Sequence, residues 1–252
     1  MSACNAVLQK TNVVRFENKI FSSNTYFCKT SVNGQCVVID PGLDGERIEK
    51  NLEDLSLTPV AVFCTHGHFD HVGSASRLQR KYQIPIYVPA QDMKLVKASN
   101  FLLMACKIDA RIVIPTVDHQ VGSGEKFQIG DDQIQFIHVP GHTPGSSFIQ
   151  IGDALFTGDS LYRNAVGLVD FPGEDPEELK ASLLAVWDQL PDELQVYPGH
   201  GGSGRFGDIK LNNQRLRQFL GIDAGAQSSD PSEAKVGRLI GQKAREKFEG
   251  EL

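Results

Sequence analysis

The chain has no cysteine pairing pattern. Cys4, Cys28, Cys36, Cys64 and Cys106 are odd in number, widely spaced and never in a C-x-x-C pair. That argues against a disulfide framework and against a thiolate zinc site. Long apolar runs are also missing, and nothing approaches the ~20 apolar residues that span a bilayer. Arg15, Glu17 and Lys19 interrupt the first twenty residues, so no stretch there has the apolar length of a secretory signal. A soluble, reducing, cytoplasmic setting is therefore the expectation. There is no excess of basic charge either. The net charge is −6, so no overall positive field gathers nucleic acid. Repeats of solenoid period and low-complexity segments are absent as well. The expected partner is a small-molecule substrate, with no nucleic acid and no membrane. Oligomeric state is not legible.

What is present suits one large domain with a small appendage: 252 residues, 40% of them apolar and 22% charged. Tyr26 to Thr30 and Cys36 to Asp40 read as strands around an Asn33-Gly34 turn. Asp44 to Leu57 reads as a helix, with Ile48, Leu52 and Leu55 on one face. Val60 to Thr65 is a short buried strand. A helix over Ser74 to Tyr82, a strand over Ile84 to Val88 and a weaker helix over Gln91 to Met104 follow. Strands are predicted over Gln133 to Val139, Ser147 to Ile151, Ala154 to Thr157 and Leu194 to Tyr197. Between the last two lies a helix over Pro176 to Leu190, with Asp175 as cap and Pro176 at its first position. Gly201 to Gly207 reads as a glycine-rich loop and Asp208 to Leu220 as a helix. A small-residue linker, Ala224 to Ser229, then leads to a terminal helix from Asp230. The expected division is a catalytic domain over 1–220 and a linker with a helical extension over 221–252.

Of the seven histidines, three fall within His66-Gly67-His68-Phe69-Asp70-His71, directly after an apolar strand. Neutral imidazole is the commonest metal ligand, and carboxylate supplements it. A tight loop would let His66 and His68 grip one ion while Asp70 and His71 point to a second. Gly67 would remove a side chain that crowds them. The construction recurs at Pro140-Gly141-His142, Pro198-Gly199-His200 and Gly158-Asp159, each after a short β run. If those strands share one edge of a core, seven ligand-type side chains converge. Seven such ligands suit two ions sharing a carboxylate and a water, with Asp159 as the natural bridge. A water held there loses its proton near pH ~7 and becomes a nucleophile. His119 and His138 have no such context and read as structural. Cys64 reads as buried and inert.

These motifs carry a family resemblance. Thr65 to His71 (T-H-x-H-x-D-H), Pro140 to Ser146, Thr157 to Tyr162 and Tyr197 to Gly201 resemble the metallo-β-lactamase superfamily. Their order and spacing look most like its glyoxalase II-like branch. The resemblance runs over residues 13 to 220. It implies an α+β fold, an αββα four-layer sandwich with a dinuclear site at one sheet edge. It also implies that His66, His68 and His142 hold one metal and that Asp70, His71 and His200 hold the other. Asp159 would bridge, and Asp70 would help to orient the attacking water. The two divalent ions are expected to be zinc, with iron or manganese as alternatives.

The substrate side departs from the pattern. The Gly-Cys-Gly-Arg usual after the bridging Asp is replaced here by Tyr162-Arg163-Asn164-Ala165-Val166-Gly167-Leu168. Val169 to Gly173 still matches the small relatives, while the tail after Leu220 does not match a glutathione-binding domain. Tyr162, Arg163, Arg205 and Lys210 are candidate substrate contacts. The leading expectation is a metal-dependent hydrolase of a thioester or related ester. The alternatives are an iron-dependent persulfide dioxygenase-like enzyme, and lactonase, β-lactamase or phosphodiesterase activity on the same core.

Overall fold

Alternation of side chains along short strands builds two sheets, each with two apolar faces. A computed structural model describes residues 10–168, 171 and 173–222. The first sheet holds β1 (Val13–Glu17), β2 (Asn24–Lys29), β3 (Gln35–Ile39), β4 (Thr58–Phe63), β5 (Ile86–Pro89) and β6 (His119–Val121), hydrogen-bonded in that order. Its first three strands are antiparallel, and β3 to β6 run parallel. The second sheet holds β7 (Lys126–Ile129), β8 (Asp132–His138), β9 (Ser147–Ile151), β10 (Ala154–Gly158), β11 (Gln195–Pro198) and β12 (Gly204–Arg205). Its order is β12-β11-β10-β9-β8-β7, with only β10 and β11 parallel.

The inner faces meet in an aromatic core. Tyr26 and Phe63 from the first sheet reach Phe156 and Phe136 of the second, with ring centroids 5.4 and 6.0 Å apart. On the outer face of the first sheet, Phe27, Val38 and Val62 pack against α1 (Gly45–Asp54), α3 (Ala75–Tyr82) and α4 (Met93–Ala105). On the outer face of the second, Phe148, Leu155 and Val196 pack against α5 (Pro176–Trp187), α6 (Phe206–Asn212) and α7 (Gln214–Leu220). The layers are therefore helix, sheet, sheet, helix, the α+β sandwich expected. Asp175 caps α5 through a bond from the Glu178 N–H at 3.0 Å, as its sequence suggests.

Several boundaries differ from expectation. The helix over Asp44 to Leu57 stops at Asp54, so Leu55 leaves the apolar face and is 40% exposed. The helix over Asp208 to Leu220 is two helices. Asn213 breaks it, capping α7 by accepting from the Leu216 N–H and donating to the carbonyls of Tyr162 and Ala165. The Gly201 to Gly207 loop contains β12 and the start of α6. The His66 to His71 loop ends in a one-turn helix, α2 (Phe69–Val72). The terminal helix from Asp230, the linker before it and Cys4 lie outside the described residues, as do Val169, Asp170 and Pro172. No helix among the described residues is long and apolar enough to cross a membrane.

Candidate metal centre

Strand ends from both sheets, rather than one, deliver the ligand-type residues. β4 of the first sheet leads into His66 and His68, and α2 then carries Asp70 and His71. In the second sheet β8 leads to His142, β10 to Asp159 and β11 to His200. Rigid strands fix the approach, and the loops leave room at the end of the sandwich.

The first set is three imidazoles. His68 Nδ1 lies 3.1 Å from His66 Nε2 and 3.1 Å from His142 Nε2. Burial holds His66 well below its ordinary pKa and pulls His68 down to about 3. Both rings are neutral at pH 7 and present lone pairs. The remaining ring nitrogens are anchored. His66 Nδ1 is 3.0 Å from Thr65 Oγ1, and His142 Nδ1 is 2.9 Å from the Gly167 carbonyl and 3.2 Å from Glu174 Oε1. Burial lowers the His142 pKa, but Glu174 and Asp159 more than offset it and leave it raised.

The second set mixes carboxylate and imidazole. His200 Nε2 sits 3.3 Å from Asp70 Oδ2 and 3.3 Å from Asp159 Oδ2. His71 Nε2 sits 3.5 Å from Asp70 Oδ2 and 3.4 Å from Asp159 Oδ1. Asp159 Oδ2 is also 3.7 Å from His142 Nε2, so one carboxylate touches both sets. Burial disfavours the charged forms of His71 and His200, yet the Asp159 and Asp70 carboxylates dominate, and His200 rises to about 10. Burial pushes Asp70 and Asp159 up, and the neighbouring His71 and His200 charges bring both below the usual carboxylate range.

Among the described residues, four buried atoms in this cluster, Asp70 Oδ2, Asp159 Oδ1 and both ring nitrogens of His71, have no hydrogen-bond partner. Each such atom costs about 1–3 kcal/mol unless something fills the gap between them. Donor atoms of His66, His68 and His142, of His66, His71 and Asp159, and of Asp70, His71 and His200 lie within 4.8 Å of one another in each group. These donor sets fit two divalent ions with Asp159 between them. Neutral imidazole and carboxylate without cysteine is the ligand chemistry of catalytic rather than structural sites.

Three acidic residues around the cluster carry no spacing signal in the sequence. Asp40 Oδ2 approaches His71 Nδ1 to 3.0 Å, off the axis a hydrogen bond needs, and both Asp40 oxygens accept from Thr65 at 2.7 Å. Glu174 backs His142, as described. Asp92 binds the loops behind the three imidazoles. The carboxylate-backed histidine is a common device in metal sites, but only the fold identifies which acid does it.

The candidate substrate contacts divide. Tyr162 is at the centre, its ring 6.2 Å from that of His200. Burial, then Asp159 and Asp70, raise its pKa, so it remains an O–H donor. Arg163 is exposed and lies along the Gly202 to Gly204 loop. Arg205 and Lys210 are elsewhere, in a separate pocket with Trp187 and Asp208. Lys210 Nζ donates to Asp192 and to the Trp187 carbonyl, and Arg205 faces Glu193 at 3.5 Å. Two aromatic rings that the sequence did not single out flank the centre: Phe21, 6.2 Å from His200, and Phe171, 5.2 Å from His68. His119 stacks on Tyr87, and His138 meets the Pro144 carbonyl, so both are structural as expected.

Comparison with known proteins agrees with this geometry. The metallo-beta-lactamase superfamily model matches residues 19–200. A hydroxyacylglutathione hydrolase, GloC, from Haemophilus influenzae is 32% identical over 188 residues, covering 71% of this chain and 86% of its own length. The crystal structure of the BLEG-1 B3 metallo-beta-lactamase superposes with a TM-score of 0.74 at 27% identity, over 81% of this chain and 99% of that one. TTHA1623, solved in a di-iron-bound form, gives 0.71 at 31% identity over 80% of this chain and 98% of that one. The chain belongs to the metallo-beta-lactamase superfamily.

Proposed function

We propose that this chain is a dinuclear metallo-hydrolase acting on a thioester or related ester, a small-molecule substrate. The observation that carries the reading is the shared carboxylate: Asp159 contacts both ligand sets, and buried donor atoms face the gap between them without partners. His66, His68 and His142 would hold one ion and Asp70, His71 and His200 the other. Two divalent ions there, zinc first among them, would acidify a water and polarise a carbonyl oxygen. The chain itself does the positioning. Asp70 and Asp159 accept hydrogen bonds and orient the attacking water. Tyr162 donates its O–H toward the oxygen that gains charge at the carbonyl. Phe21 and Phe171 exclude water from the two flanks. The similarity to a hydroxyacylglutathione hydrolase supports the thioester class.

Metal analysis of the purified protein, with thioester, lactone, β-lactam and phosphodiester substrates assayed in parallel, tests this. Two ions per chain and fastest turnover of a thioester are expected. Asp159→Ala should lose at least one ion and at least about 100-fold in kcat/KM while its circular dichroism is preserved. Unchanged metal content in that variant would overturn the assignment of Asp159. The same test decides a second reading, an iron-dependent persulfide dioxygenase-like enzyme, for which two imidazoles and the Asp159 carboxylate would hold a single iron. One iron per chain with oxygen uptake would select it.

A further inference from the structure

Asp92 is fully buried at the end of the short 3-10 turn Ala90–Asp92 that leads into α4, outside both ligand sets. Its carboxylate nevertheless joins the two loops that carry the three imidazoles. Oδ2 accepts from the Gly67 N–H at 2.8 Å, between His66 and His68, and from Thr143 Oγ1 at 2.7 Å, next to His142. Oδ1 accepts from the Gly145 N–H at 2.7 Å, in the same loop as His142. The packing is built around this group. A Cβ on Gly67 would come within 2.8 Å of Asp92 Cβ, and one on Gly145 within 2.6 Å of Asp92 Cγ. Gly67 thus makes room for a buried acid, not only for the ligands beside it. Among the described residues, none of the hydrogen bonds of Asp92 reaches the Asp70–His71 helix or the His200 loop.

We propose that Asp92 is a positioning residue for the three-histidine set, clamping the two loops so that His66, His68 and His142 converge, and that it sets the affinity of that set alone. The inference rests on the dinuclear reading above. Its physical basis is the cost of orphaned donors. Asn has nearly the same shape, but its NH2 group would face a Thr143 hydroxyl or a backbone N–H that already needs an acceptor. At least one loop would then shift away from the clamp.

The test is stepwise zinc titration of metal-stripped wild type and Asp92→Asn against a chromophoric chelator. The variant should bind one ion as the wild type does and the other about 10–100-fold more weakly. The weakened ion must be the one lost in His68→Ala and kept in His200→Ala. Thr143→Val removes one of the three bonds and should give a smaller change at the same ion. It also decides the matter if Asp92→Asn does not fold. Two unchanged affinities, an equal loss at both sites, or weakening of the His200 ion would each overturn the role of Asp92. A wild type that takes up no zinc would instead bring down the dinuclear reading, and the inference with it.

Discussion

Gly199 shows how little tolerance the centre has at the level of one residue. A Cβ there would sit 2.0 Å from Asp159 Oδ1 and 2.6 Å from His71 Cε1. A single methyl group would occupy the place of the carboxylate that touches both ligand sets. Gly199→Ala should therefore reduce bound metal from two ions to one or none and lower kcat/KM by at least about 100-fold. Far-ultraviolet circular dichroism should stay close to wild type, because the two severe clashes are with side chains at the end of the sandwich, and the nearest backbone atom, Gly158 C, is 3.1 Å away. Full metal content in Gly199→Ala would show that Asp159 has room to move and need not sit where the structure places it. The same comparison shows what was legible at this scale. His66, His68, Asp70 and His71 announce themselves by spacing, and His142, Asp159 and His200 by recurring after glycine turns. Asp40, Asp92 and Glu174 do not. Each is a lone acid whose partner lies far along the chain, such as Thr143, 51 residues from Asp92. Charge at one position says nothing about which loop will fold onto it.

Elements were legible where a strong local signal marked both ends. The predicted strand Ser147 to Ile151 matches β9, and α5 begins where its Asp-Pro cap says it should. β1, β6, β7 and β12 went unread for a common reason. They are short, polar on one face or at a sheet margin, and owe their conformation to a neighbouring strand rather than to their own composition. The helices show the same dependence in their cross-links. Glu49 of α1 holds Arg77 at 2.7 Å and Lys81 at 3.2 Å, both from α3. Burial raises the Glu49 pKa, but the hydrogen bonds and charges of Arg77 and Lys81 together outweigh it and leave it lowered. A carboxyl held below its unfolded value adds stability above that value, and the gain is lost as pH falls through the lowered one. Both bases are well exposed, so screening limits the effect. Glu49→Gln should cost about 0.5–1 kcal/mol in urea unfolding at pH 7 and low salt. The difference from wild type should shrink in 1 M salt and fade as pH falls through the lowered pKa. A deficit that persists at pH 2 would mean that Glu49 acts through packing instead.

At the scale of the molecule, the centre links metal content, pH and stability. In metal-stripped protein, two groups of histidines pull in opposite directions. Burial holds His66 low and His68 at about 3. Below the ordinary value of about 6.5 the unfolded chain binds more protons, so stability falls as pH drops. Burial also opposes charge on His200 and His71, but Asp159 and Asp70, with Asp40 beside His71, overcome it and lift His200 to about 10. Above about 6.5 the folded chain therefore holds the extra protons, and stability falls as pH rises toward 10. The stripped protein should be most stable near neutrality. A bound ion replaces the protons on His71 and His200, so the loaded protein should lack the alkaline decline. With zinc at about a thousand times its dissociation constant, one ion adds roughly 4 kcal/mol, or on the order of 10 °C in Tm for a chain of this size. That gap should widen between pH 7 and 9 and narrow as pH falls below 7, where protons on His71 and His200 compete with the ion. Thermal unfolding with and without a chelator across this range measures it. A gap that stays constant from pH 5 to 9 would mean that the ions do not compete with protons at these histidines, and so do not bind where the two sheets bring them together.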